Sequence, residues 1–160
     1  MTEKDLSCRL IQESDVDAVA AIYRVAFAPA YSEVELTRQR VGDERRGAVV
    51  AVDGSTAIGT IFFSFIEEDG RHVLFIDRVA VCAQHRRQGV ASAMLAWLLH
   101  FASRFEHEFA FLLVNGGNTA AFKCYVRSGF VLNDSRLDKQ WDYDPLLLRM
   151  ERSAAGSLGC

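Results

Sequence analysis

The chain has 160 residues, of which 50% are apolar and 24% charged, and a formal net charge of −3. That length suits one domain with room for a substantial core. The acidic balance gives no global field to draw the chain to nucleic acid or a membrane, and the pairs Arg45-Arg46 and Arg86-Arg87 are too short to reverse it.

No apolar run reaches the roughly 20 residues of a membrane span. Met1 to Asp5 is polar and lacks the apolar core of a signal peptide, so a cytoplasmic location is expected. Cys8, Cys82, Cys124 and Cys160 show no C-x-x-C spacing, which argues against a disulfide framework or a zinc site. Cys8, Cys82 and Cys124 read as small packing residues and Cys160 as a terminal thiol. His72, His85, His100 and His107 form no ligand spacing, so no metal is expected.

In chain order, Ser7 to Gln12 alternates as a first strand. Ser14 suits an N-cap, and Val16, Val19, Ala20 and Tyr23 recur at helical spacing over 15–27. Pro29 ends that helix, and Ser32 caps a more polar one over 33–43. Ala48–Val52 is a short strand, Asp53-Gly54 a hairpin turn, and Thr56–Ile66 a second strand with a bulge at Gly59. Glu67 to Gly70 is a turn before a strand over Val73–Cys82.

Gln88–Arg104 follows as a helix, then Phe109–Val114 as a buried strand broken by Gly116-Gly117. A helix runs from Asn118 or Thr119 to Ser128, with Gly129 as its C′ residue. Phe130 to Leu132 begins a strand, and Leu146 to Met150 forms the last one. The domain is expected over 1–152, with a disordered tail over 153–160. This order gives a mixed α/β sheet with helices on both faces.

The run Val79 to Ala91 carries the most chemistry. An apolar strand meets a short basic turn, which opens into a helix at Gly89. Such a junction aims several N–H groups and the positive helix end at one point, and a diphosphate suits it best. Arg86 and Arg87 add charge-assisted donors. The turn departs from a dinucleotide fingerprint in having one glycine after a meander of strands, and it lacks the Gly-Lys-Ser/Thr of a P-loop.

Here a resemblance becomes specific. Arg86-x-x-Gly89-x-Ala91 after Val79-x-Val81 resembles the Arg/Gln-x-x-Gly-x-Gly/Ala signature of the GCN5-related N-acetyltransferase (GNAT) superfamily. Asn118, Ala121, Tyr125, Gly129 and Phe130 are similar to its second landmark, Asn-x-x-Ala-x-x-x-Tyr-x-x-x-Gly-Phe. The two together cover about residues 73–131. The resemblance implies a mostly antiparallel central sheet with helices on both faces and a splayed pair of strands. It also implies acetyl-CoA as co-substrate and transfer of its acetyl group to a primary amine.

On that basis Arg86, Arg87, Gln88, Gly89, Val90, Ala91 and Ser92 cradle the diphosphate. Val79, Ala80 and Val81 pair through their backbone with the pantetheine arm, and the N–H of Val79 or Ala80 polarises the thioester carbonyl. Asn118 contacts the pantetheine or positions its helix, a role compatible with the plain N-cap reading of the same residue, and Arg127 either reaches the adenosine phosphates or is a solvated side chain. Tyr125 occupies the position of the general acid that meets the departing thiolate. Asp77, two residues before Val79 and hence expected on its face, is the candidate base, with Glu67 and Glu68 as alternatives.

Trp141 and Tyr143 suit an acceptor cleft or packing equally. An acyl-cysteine route through Cys82 or Cys124 lacks an evident activating histidine. The acceptor is a small amine or a protein or peptide amine, and a homodimer is left open. The competing readings are a non-catalytic acyl-CoA sensor of the same fold and an interaction domain without a cofactor.

Overall fold

A computed structural model describes residues 6–27, 33–133 and 147–154. The expectations for Pro29, Ser32, Trp141, Tyr143 and Cys160 lie outside that range, as does the tail from residue 155. Among the described residues, seven strands form one sheet: β1 (Leu6–Leu10), β2 (Arg46–Asp53), β3 (Thr56–Glu68), β4 (Arg71–Val81), β5 (Phe109–Asn115), β6 (Val131–Leu132) and β7 (Leu147–Ser153). Their spatial order is β1-β2-β3-β4-β5-β7-β6, antiparallel throughout except for the parallel β4–β5 pair. The mixed, mostly antiparallel sheet is the one expected from sequence. No helix among the described residues is long and apolar enough to cross a membrane.

Helices cover both faces. α1 (Val16–Ala26) and α2 (Glu33–Arg38) lie on one side, where Val19, Ile22 and Tyr23 pack with Ala48, Val50, Phe62 and Ala80. α3 (Val90–Ala102) and α4 (Thr119–Arg127) lie on the other. There α3 buries Val90, Met94, Leu95, Leu98 and Phe101, each contributing about 1.5–3 kcal/mol. Gly59 is what lets α3 come so close. A Cβ there would sit 3.0 Å from Met94 Cε and 3.1 Å from Val90 Cγ1.

Several boundaries differ from the sequence reading, each for a local reason. Ser14 does not cap α1. It lies in a 3-10 turn, Glu13–Asp15, which a capping box between Gln12 and Asp15 opens and which leads into α1. Asp15 also pairs with Arg9. The second helix stops at Arg38 instead of residue 43, and the chain turns before Gly42 at φ +77°.

The turn after β3 is shorter than expected. Glu67 and Glu68 continue the ladder opposite His72 and Arg71, leaving Asp69 (φ +50°) and Gly70 (φ +76°) to reverse the chain. The β2–β3 bulge leaves Ile58, not Gly59, as the unpaired residue. Ser153, expected in the tail, belongs to β7 opposite Phe109, and Ala154 N–H bonds to Glu108 O at 3.0 Å.

The feature that creates the site is the parting of β4 from β5. Their ladder holds only from Val73↔Phe109 to Ile76↔Leu112. From Asp77 onward β4 stays with β3 alone, so the two parallel strands open as a V. The opening coincides with a bulge. Phe62 faces Arg78 and Phe63 faces Ile76, which leaves Asp77 extra.

Candidate active site

The V, the turn after β4 and α4 enclose a cleft of about 580 Å³. That volume lies within the usual range for small-molecule sites. It is lined from β4 by Val79, Ala80 and Val81, from the turn and α3 by Arg86, Arg87, Gly89, Val90, Ala91 and Ser92, and from α4 by Asn118 and Tyr125. These are the residues expected from sequence, with two exceptions. Gln88 does not line the cleft, and its side-chain amide donates to Gln84 O at 3.2 Å. Asp77 does not line it either.

The β4 wall offers backbone groups. Cys82 N–H bonds to Ile58 O of β3 at 2.8 Å. Backbone direction alternates along a strand, so Ala80 and Arg78 face β3 while Val79 and Val81 face the V. Val81 O accepts from Arg86 Nε at 3.3 Å, which ties that guanidinium to the cleft mouth. Of the two donors expected at the thioester, the pairing therefore turns Val79 N–H into the opening and Ala80 N–H away.

The turn is shaped for an anion. Arg87 has φ +62° and Gly89 φ +80°, two left-handed residues around Gln88. Such alternation gathers backbone N–H groups into a concave nest. It also explains why α3 begins at Val90 instead of Gln88. The first helical bond is Ala93 N–H to Gly89 O, at 3.0 Å. The preceding N–H groups of Val90, Ala91 and Ser92 are those a helix start leaves for a ligand. Open space adjoins the Cβ direction of Gly89. His85 also lines the cleft, with its Nδ1 buried and without a partner among the described residues. Nest, open space and orphaned nitrogen all fit a phosphate-bearing molecule.

On the α4 wall Asn118 is the N-cap, its Oδ1 accepting from Ala121 N–H at 3.2 Å. This supports the capping role that sequence left open. Cys124 Sγ meets Ser92 Oγ of α3 at 3.5 Å across the cleft floor. Tyr125 is buried, 8% exposed, with its ring edge-on to Phe130. Burial first, and the neighbouring Cys124 second, push its phenol up to about 12.

Sequence reasoning missed Ala26, Phe27, His85, Ala120, Ala121 and Cys124 as lining residues. Ala120, Ala121 and Cys124 share the motif helix with Asn118 and Tyr125, so helical spacing could have found them. Phe27 follows the α1 stripe, and nothing in its spacing places it beside β4. Arg127 lines the cleft too, as its proposed reach to the adenosine phosphates requires.

Asp77 corrects a geometric expectation. Below the bulge Leu74 and Ile76 join the core under α3, whereas above it Val79 and Val81 do. The extra residue switches the parity, so Asp77 does not share the face of Val79. It stands exposed at the apex of the V, where its charge reaches Tyr23 and Arg40 on the α1 side.

The match to known proteins agrees with this geometry. The model of the acetyltransferase (GNAT) family matches residues 16–130. The chain belongs to this family. Rat N-acetyltransferase 8B is 30% identical over 98 residues, which take in 60% of this chain and 44% of that protein. The chain thus spans less than half the length of that relative. Among solved structures, Arabidopsis thaliana Naa50 in complex with the bisubstrate analogue CoA-Ac-MVNAL superposes with a TM-score of 0.71 at 18% identity, covering 92% of this chain and 98% of that one. A spermidine N-acetyltransferase SpeG chimera from Vibrio cholerae and hSSAT superposes with a TM-score of 0.74 at 18% identity, covering 97% and 99%. These two likenesses establish the GNAT fold.

Proposed function

We propose that this GNAT-family chain transfers the acetyl group of acetyl-CoA to a primary amine by direct attack while both are bound. The observation that carries this reading is the V at Asp77, which opens onto the same cleft as the left-handed turn Arg87–Gly89 and the phenol of Tyr125. The turn supplies N–H donors for the diphosphate, and β4 supplies an edge to pair with an extended pantetheine arm.

Val79 N–H then meets the thioester oxygen as negative charge develops there, a contact typically worth about 3 kcal/mol. The amine arrives at the apex of the V from the face of α1, where Asp77 takes its proton directly or through water. Collapse of the tetrahedral intermediate expels the thiolate, and Tyr125 donates a hydrogen bond to the sulfur.

The alternative is an acyl-CoA sensor of the same fold without turnover. A thermal melt with acetyl-CoA and an amine panel scored by free-thiol release separate the two. The panel spans peptides with free N-termini and polyamines, because Naa50 is solved with a peptide bisubstrate analogue and the chimera is a spermidine N-acetyltransferase. Acetyl-CoA at 100 times its Kd should add about 2.7 kcal/mol of stability under either reading. Amine-dependent thiol release supports the enzyme, and stabilisation without it supports the sensor. Absence of both outcomes overturns the acetyl-CoA reading itself.

A further inference from the structure

Phe27 ends α1, with its N–H bonded to Tyr23 O at 2.8 Å and its backbone already extended. Its ring is 41% exposed, yet it lines the same cleft as Val79 and Tyr125. A large ring left half in water at a helix end adds little to the core, and in a cleft such surface is where a ligand gains apolar contact. The ring is also held in place. It lies 5.9 Å from the ring of Tyr23. Tyr23 is fully buried, packs edge-on to Phe62 and donates its hydroxyl to Arg78 O at 3.1 Å. Phe27 is thereby tied to β4 one residue before Val79, on the α1 side of the V.

The charge beside the ring is positive. The guanidinium of Arg78 lies 5.8 Å from the centre of the Phe27 ring and 6.0 Å from that of Tyr23. An exposed aromatic ring in a cleft can serve as a cation–π seat for an ammonium group. Here a guanidinium already stands at that distance, so the ring offers apolar contact instead. A second positive group on an acceptor lying along Phe27 would also be brought up to Arg78, and like charges placed together weigh against a partner.

We propose that Phe27 and Arg78 set the acceptor class: a primary amine with one positive charge and a large apolar group one or two carbons from the nitrogen. The apolar group lies on Phe27 while the nitrogen enters the V. A peptide N-terminus beginning with Phe and a free arylalkylamine share this chemistry, whereas a polyamine lacks it. The proposal deepens the acetyltransferase reading above and rests on it.

The test measures kcat/KM by thiol release with acetyl-CoA. The acceptors are three peptides alike except for a first residue of Phe, Gly or Lys, together with 2-phenylethylamine and spermidine. Wild type should favour the Phe peptide over the Gly peptide by at least about tenfold, and over the Lys peptide and spermidine by at least as much. Turnover of 2-phenylethylamine separates a free amine from a peptide as the source. Phe27→Ala should bring the Phe-to-Gly ratio to within about threefold, and Phe27→Leu should keep a preference. Arg78→Gln should narrow the Phe-to-Lys ratio about tenfold, and Arg78→Lys should not. Ratios cancel any general loss of activity in a variant, and stabilisation by acetyl-CoA in a thermal melt checks that each is folded.

Wild type that turns over the Gly peptide, the Lys peptide or spermidine as fast as both apolar amines overturns the proposal, and this ranking decides even where a variant does not fold. So does a Phe-to-Gly ratio unmoved in Phe27→Ala, or a Phe-to-Lys ratio unmoved in Arg78→Gln. Wild-type protein that binds acetyl-CoA but releases no thiol with any amine overturns the acetyltransferase reading instead, and the acceptor assignment with it.

Discussion

Replacing Tyr125 by Phe removes one hydroxyl, and the structure sets the size of the effect. The phenol has no hydrogen-bond partner among the described residues, so packing against Phe130 survives and stability at neutral pH should change by under about 0.5 kcal/mol. Burial holds the phenol up to about 12, whereas an ordinary thiol titrates near about 8.5. Complete proton transfer from phenol to departing thiolate is then uphill by several kcal/mol. Under the proposed function Tyr125 then serves as a hydrogen-bond donor to the charged sulfur, a contact of about 1.5–3 kcal/mol.

That range corresponds to a fall in kcat of about 10- to 150-fold, with the acetyl-CoA Kd nearly unchanged. Stopped-flow thiol release and calorimetry measure the two quantities separately. The pKa has a second consequence whose sign is definite. A phenol raised by folding contributes stability that is fully present below its unfolded value of about 10 and is lost as pH climbs towards about 12. Urea melts between about pH 9 and 11.5 should therefore fall more gently for Tyr125→Phe than for wild type. Wild-type kcat in a stable Tyr125→Phe variant would refute the donor role.

Three further outcomes follow from the geometry. Gly89→Val forces a β-branched residue to φ +80°, so calorimetry should find acetyl-CoA binding weakened at least about tenfold, and unchanged affinity in a folded variant moves the phosphate site elsewhere. Asp77→Asn should require higher pH for turnover while leaving the acetyl-CoA Kd intact, and an unmoved pH–rate profile removes Asp77 as base. Arg149 is 1% exposed, donates to both Glu68 oxygens at 2.8 and 2.6 Å and to Glu151 at 2.8 Å, and lies 4.0 Å from the Phe111 ring centre. Arg149→Met strands those carboxylates and should cost about 3–5 kcal/mol in denaturant unfolding, whereas a cost under about 1 kcal/mol would mean water rescues them.

The sequence by itself determined the parts whose signal is local. Period-two and period-3.6 patterns located β2 to β5, α1, α3 and α4, because side-chain direction repeats with backbone geometry over a few residues. Asn118 as a cap and Gly129 (φ +93°) as a helix stop were legible, since each serves a need of its own turn, whereas the left-handed turn that delays α3 to Val90 was not.

Tertiary structure decided what depends on pairing between strands. The one-residue slip at Asp77 reverses which side chains of β4 enter the core, turns Val79 N–H into the V and puts Asp77 on the face of Arg40. Alternation within β4 predicts the opposite face, because a bulge belongs to two strands and cannot be read from one. Arg40 is likewise silent in sequence, where it is one polar residue after a short helix. Only the fold lays its guanidinium against Phe62 and the carbonyls of Gly47 and Phe63.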